Sequence, residues 1–117
     1  MDHWYRKFRH AFRGILYGVH GQTSFAAHAV IASAVCVVAA WMGCDWVHWS
    51  LLLLCMALVL SMEMVNSAIE QLARSLCTEH HPGVGRALDI ASAAVLVTAI
   101  FAAIIGFIVL IQQWMSG

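Results

Sequence analysis

Glu63, Asn66 and Glu70 stand at i, i+3 and i+7 in Ser61-Met-Glu-Met-Val-Asn-Ser-Ala-Ile-Glu70. On a helix that spacing places two carboxylates and an amide on one stripe, which Arg74 continues a turn further on. Such a row suits phosphoryl transfer. The reaction asks mainly for positioning, charge neutralisation and a base for the attacking hydroxyl. Glu63 would serve as the base, with Glu70 and Asn66 near a Mg²⁺ ion, which favours carboxylate oxygens combined with substrate phosphates. The plainer reading is a set of interfacial polar residues, with Glu70 and Arg74 as an i, i+4 ion pair. Three such residues on one stripe, with Asp89 opposite at similar depth, favour the chemical reading.

The surroundings say where this chemistry would take place. Of the 117 residues, 62% are hydrophobic and 10% carry a formal charge. An average soluble domain has roughly a quarter of its residues charged, and one this small has little interior to bury such a load. The composition therefore excludes a soluble globular domain and a disordered chain, and it implies an all-α integral membrane protein. Six basic and six acidic residues cancel, so bulk charge implies no nucleic-acid partner.

One membrane domain, 1–117, accounts for the pattern. Residues 1–20 read as a basic amphipathic helix for the headgroup plane. Trp4, Phe8, Phe12, Ile15, Leu16 and Val19 recur at helical spacing, and Arg6, Lys7, Arg9, His10 and Arg13 fill most of the remaining wheel. Three spans follow at 25–43, 47–72 (with a cytoplasmic extension) and 87–114. Each approaches the ~20 apolar residues needed to cross a bilayer. Gly43-Cys44-Asp45-Trp46 is a tight turn, and Pro82 with its neighbouring glycines breaks the helix in the second link.

All six basic residues lie before Gly14 or between Arg74 and Arg86. The positive-inside rule then puts the N-terminus and the second link in the cytoplasm, and the C-terminus outside. Trp41, Trp46, Trp49 and Trp114 fit an aromatic belt at the outer face. Counted from Val47, Glu63 lies about 24 Å along its helix, near the inner boundary of a ~30 Å hydrocarbon core. Stripes of small residues (Ala29, Ser33, Cys36 and Ala40; Ala87, Ala91, Ala94, Thr98 and Ala102) allow close helix approach. So few spans can hardly enclose a polar site alone, which favours a homo-oligomer. The cysteines show no CxxC spacing, which argues against zinc or a redox motif. His28 reads as an interfacial histidine, and Glu79-His80-His81 as a solvated loop.

Glu63-Met-Val-Asn66-Ser-Ala-Ile-Glu70 and Asp89-Ile-Ala-Ser-Ala-Ala-Val-Leu96, correctly spaced, resemble the small prokaryotic diacylglycerol kinases, a family that includes undecaprenol kinases. Phe12-Arg13-Gly14 resembles the family's aromatic-basic-Gly turn, and the likeness covers nearly the whole chain. It implies a homotrimer with shared sites in the bacterial inner membrane, ATP with Mg²⁺ as phosphoryl donor, and a membrane lipid alcohol as acceptor at the cytoplasmic leaflet. Glu63 matches the family's base and, with Asn66 and Asp89, contacts the lipid. His10, Asn66, Glu70, Arg74 and Asp89 fall around the nucleotide, and Glu70 and Gln22 at the metal.

Three positions depart from the family pattern. Leu88 replaces a Lys expected at the nucleotide phosphates, Arg74 an Asp, and Gln22 a metal-binding Glu. Together they make the site less acidic. Either the nucleotide site is weakened, leaving a lipid-binding or structural relative, or Arg74 supplies the cation that Leu88 cannot. A small ion or proton conductor would need polar residues through the full thickness, whereas here they gather at one face.

Overall fold

The computed structural model describes residues 2–19, 23–77 and 79–117 as four helices: α1 (Asp2–Val19), α2 (Thr23–Met42), α3 (Trp46–Leu76) and α4 (Pro82–Ser116). The last three each contain a stretch long and apolar enough to cross a membrane, and the chain is an all-helical membrane protein. α4 packs along α3. α2 also leans on α3 but touches α4 only lightly, so a crevice opens between α2 and α4 with α3 as its floor. The molecule is only 20 Å deep in its thinnest direction, which leaves most apolar side chains on the surface. On the apolar face of α1, Trp4, Phe8, Phe12, Ile15 and Leu16 are all exposed.

The α2–α3 turn is closed by local chemistry. Gly43 has φ +71°, the left-handed conformation that glycine adopts without a Cβ penalty. The Cys44 N–H donates to Ala39 O and the Gly43 N–H to Ala40 O, the paired bonds of a Schellman motif. Asp45 then caps α3 by accepting from the His48 N–H at 2.8 Å. Ala39, Cys44, Leu52 and Val109 form the buried core beneath this turn, with Trp49 packed against it. Trp49 therefore serves packing, while Trp41, Trp46 and Trp114 stay exposed, as belt residues would be.

The second link is shorter than its composition suggests. α3 continues to Leu76 and α4 begins at Pro82, so Pro82 starts a helix where the sequence pattern reads as a break. Proline is suited to the first helical position because the N–H it lacks has no partner there. His81 caps this helix, its Nδ1 accepting from the Val84 N–H at 3.4 Å. Gly83 leaves room for the His81 ring, which a Cβ would meet at 3.2 Å.

Candidate functional site

The buried side chains of α3 are Leu52, Cys55, Val59, Glu63 and Ser67. They recur every three or four residues and so form one stripe, the one on which the neighbouring helices pack. The first three are apolar, and the stripe then turns polar without leaving the interior. Glu63 is 3% exposed. Burying an unpartnered carboxylate costs on the order of several kcal/mol, so the position demands either a partner or a function. Its neighbour is on another helix: His28 Nδ1 of α2 lies 3.0 Å from Glu63 Oε1. The ring is turned too far for a straight hydrogen bond, and Nδ1 has no other partner among the described residues.

Asn66 and Glu70 flank this stripe, half-buried. The Asn66 Nδ2–H donates to Glu70 Oε1 at 3.1 Å, and Arg74 Nη2 stands 3.6 Å from Glu70 Oε2. From Asn66 to Arg74 the row read from sequence is thus one connected chain of contacts along α3, while Glu63 contacts His28 instead. Two buried polar atoms on this stretch of α3, Asn66 Oδ1 and Ser67 Oγ, have no partner among the described residues. Unpaired buried polar atoms are rare and need an explanation. Asn66 Oδ1 is a hard oxygen beside a carboxylate, and that donor pair suits a Mg²⁺ ion held largely by substrate phosphates. Among the described residues no three His, Cys, Asp or Glu side chains gather as a self-sufficient metal site.

Below this row a cavity of about 540 Å³ opens between the end of α3, the link and the start of α4. Glu70, Arg74, His80, His81 and Leu88 are in its lining. Arg74 and Leu88, two of the departures, therefore share one wall. Asp89, the next residue along α4, is exposed. No hydrogen bond or ion pair among the described residues joins it to Glu63, Asn66 or Glu70. His10 is likewise exposed on α1, away from any described polar contact. Gln22 lies outside the described residues.

Sequence reasoning missed two members of the site. Ser67 follows Glu63 by four residues, and the 3–4 spacing of the buried stripe signals it. The contact between His28 and Glu63 joins different helices and leaves no local signal.

The geometry agrees with the family comparison. Residues 9–110 match the model of the prokaryotic diacylglycerol kinases, and the chain belongs to that family. It is 30% identical over 113 residues to the undecaprenol kinase of Bacillus subtilis (strain 168), covering 97% of this chain and 92% of that protein. It is 33% identical over 95 residues to the diacylglycerol kinase of Escherichia coli (strain K12), covering 81% and 78% of the two chains. The diacylglycerol kinase of Helicobacter pylori (strain ATCC 700392 / 26695) is 32% identical over 101 residues, covering 80% and 79%.

Proposed function

We propose that this protein transfers the γ-phosphoryl group of ATP to the hydroxyl of a membrane lipid, a diacylglycerol or a polyprenol. The observation that carries the reading is Glu63. It is a carboxylate buried at the point where the apolar stripe of α3 ends, with Asn66, Glu70 and Arg74 leading from it towards an open cavity. A lipid tail lies in hydrocarbon and a nucleotide in water, so a base serving both belongs at that boundary.

Glu63 takes the proton from the acceptor O–H. The oxygen bonds to the γ-phosphorus while the bond to the β-phosphate oxygen breaks, and ADP leaves with the electron pair. Glu70 and Asn66 Oδ1 would hold Mg²⁺, with Gln22 as a further oxygen donor. When bound, the ion neutralises charge on the nucleotide phosphates. Arg74 orients Glu70 and places a cation on the cavity wall where Leu88 has none. Asn66 aligns the acceptor through the second Nδ2–H, which Glu70 leaves free.

Asp89 and His10 are exposed and make no described contact with this row, and the single chain is too thin to surround it. We assign both residues to sites completed by a neighbouring protomer of a homotrimer, Asp89 near lipid and nucleotide, His10 near the nucleotide. The placement of all six basic residues on α1 and between Arg74 and Arg86 supports a cytoplasmic N-terminus and link in the bacterial inner membrane, facing the ATP pool.

Purified protein in mixed micelles, supplied with Mg²⁺–ATP and either a polyprenol or a diacylglycerol, should incorporate labelled phosphate into one of them. Glu63→Gln should not. Equal turnover by Glu63→Gln would overturn the assignment of the base. Leu88 in the cavity wall favours a second reading, a lipid-binding relative without catalysis. Calorimetry with Mg²⁺–ATP separates the two, since the second reading expects no nucleotide binding.

A further inference from the structure

A base must be aimed as well as present. The Glu63 carboxylate turns about flexible side-chain bonds, and the polar neighbours on its own helix do not hold it. Asn66 donates to Glu70, and Ser67 Oγ has no partner. Among the described residues the polar atom that comes within ion-pair distance of Glu63 is His28 Nδ1, at 3.0 Å from Oε1. It belongs to α2, the helix that faces α3 across one side of the crevice.

We propose that His28 is a positioning residue for Glu63. Its Nδ1–H donates to Oε1 and turns Oε2 towards the acceptor hydroxyl. The inference rests on the reading of Glu63 as the base.

Three observations support it beyond the distance. Nδ1 is buried and has no competing partner, so its N–H is available to Glu63 alone among the described groups. The side chains are 25% and 4% exposed, and in such surroundings a hydrogen bond to a carboxylate is stronger than in water. The imperfect angle is what a substrate-free site often shows, since catalytic hydrogen bonds commonly tighten only in the complex.

The same imidazole also borders an apolar crevice of about 380 Å³ between α2, α3 and α4. Its other lining residues, among them Leu52, Cys55, Val59 and Phe107, carry no side-chain nitrogen or oxygen. One ring thus touches both a hydrocarbon-lined space and the carboxylate. An acceptor whose tail enters hydrocarbon and whose hydroxyl must reach a base needs its hydroxyl at that junction. His28 keeps its proton throughout the step. The acceptor proton goes to Oε2, so the imidazole orients and does not relay.

The full-length protein in mixed micelles tests this through two variants and one spectrum. His28→Ala should lower kcat about 10²-fold, the scale of a misplaced reacting group, and leave the KM for ATP unchanged. His28→Asn, whose amide N–H can occupy the place of Nδ1, should recover most of that loss. Nitrogen NMR of the His28 imidazole should show a protonated Nδ1 whose resonance moves in Glu63→Gln.

Wild-type kcat in His28→Ala with an inactive Glu63→Gln overturns the role of His28 and leaves the base intact. Full turnover by Glu63→Gln overturns the base itself, whatever His28 does. Failure of His28→Asn to recover activity, or a His28 resonance unmoved by Glu63→Gln, overturns positioning. Should His28→Ala fail to fold, His28→Asn and the NMR comparison decide.

Discussion

His48 and His28 are both half-buried imidazoles between helices, at opposite ends of the bundle. At the turn end, His48 Nδ1 lies 3.1 Å from Gln113 Oε1 and 3.5 Å from Asp45 Oδ1. Its Nε2 lies 3.4 Å from Gln112 Oε1. Gln113 in turn donates through Nε2 to Met42 O at 3.3 Å. Because an amide oxygen only accepts, the His48 Nδ1–H donates to Gln113 Oε1, the shorter of the two glutamine contacts. Those groups close on one another and tie α2, α3 and α4 together. At the carboxylate end, His28 Nδ1, Asn66 Oδ1 and Ser67 Oγ have no hydrogen-bond partner among the described residues. One end spends its polar groups on holding the fold. The other leaves those three atoms without a described protein partner.

The contrast can be broken by substitutions whose effects should separate turnover from stability. The largest effect is expected from Glu63→Gln. Turnover should fall about 10³-fold, the range of a lost general base, with helix content by circular dichroism unchanged. Arg74→Gln should raise the KM for ATP about tenfold, as expected for the loss of a charge-assisted contact, with little change in kcat. A KM unaffected by that change would remove Arg74 from the nucleotide site.

Gly43→Ala acts at the other end. A Cβ at positive φ should destabilise the protein by about 1–2 kcal/mol, lowering the unfolding midpoint in mixed micelles while turnover below the transition stays normal. Gln113→Leu should cost about 0.6 kcal/mol, the average for an interhelical hydrogen bond in a membrane protein, again without loss of turnover. If Gln113→Leu abolished phosphorylation in a stably folded protein, the two ends would not differ as described.

Much of this was legible in the sequence because it is local to one helix. Helical periodicity alone put Glu63, Asn66 and Glu70 on one stripe, and the Asn66–Glu70–Arg74 contacts follow from i, i+4 spacing. Composition likewise revealed the three apolar helices. What was not legible depends on how helices meet. The sequence reading left His28 an interfacial histidine because nothing in Ala27-His-Ala29 announces a glutamate 35 positions away. The cavity that brings Arg74 and Leu88 to one wall arises only when the link folds back. The extra turns at the end of α3 and the start of α4 also lay beyond the hydropathy signal. The residues there are polar or small, and capping by His81 with Pro82 sustains the helix where apolar content declines.

α3 has 31 residues, a rod about 46 Å long at 1.5 Å per residue, set against ~30 Å of hydrocarbon. Trp41 and Trp46 are both exposed at the turn end, and a rod anchored there carries Glu63 at a fixed reach towards the other face. It works as a depth gauge. A bilayer a few ångströms thicker draws the carboxylate down among acyl chains, and a thinner one lifts it clear of the headgroups. Hydrophobic mismatch, through the chain length of the host lipid, thus sets the height at which the Glu63 carboxylate meets the headgroup layer.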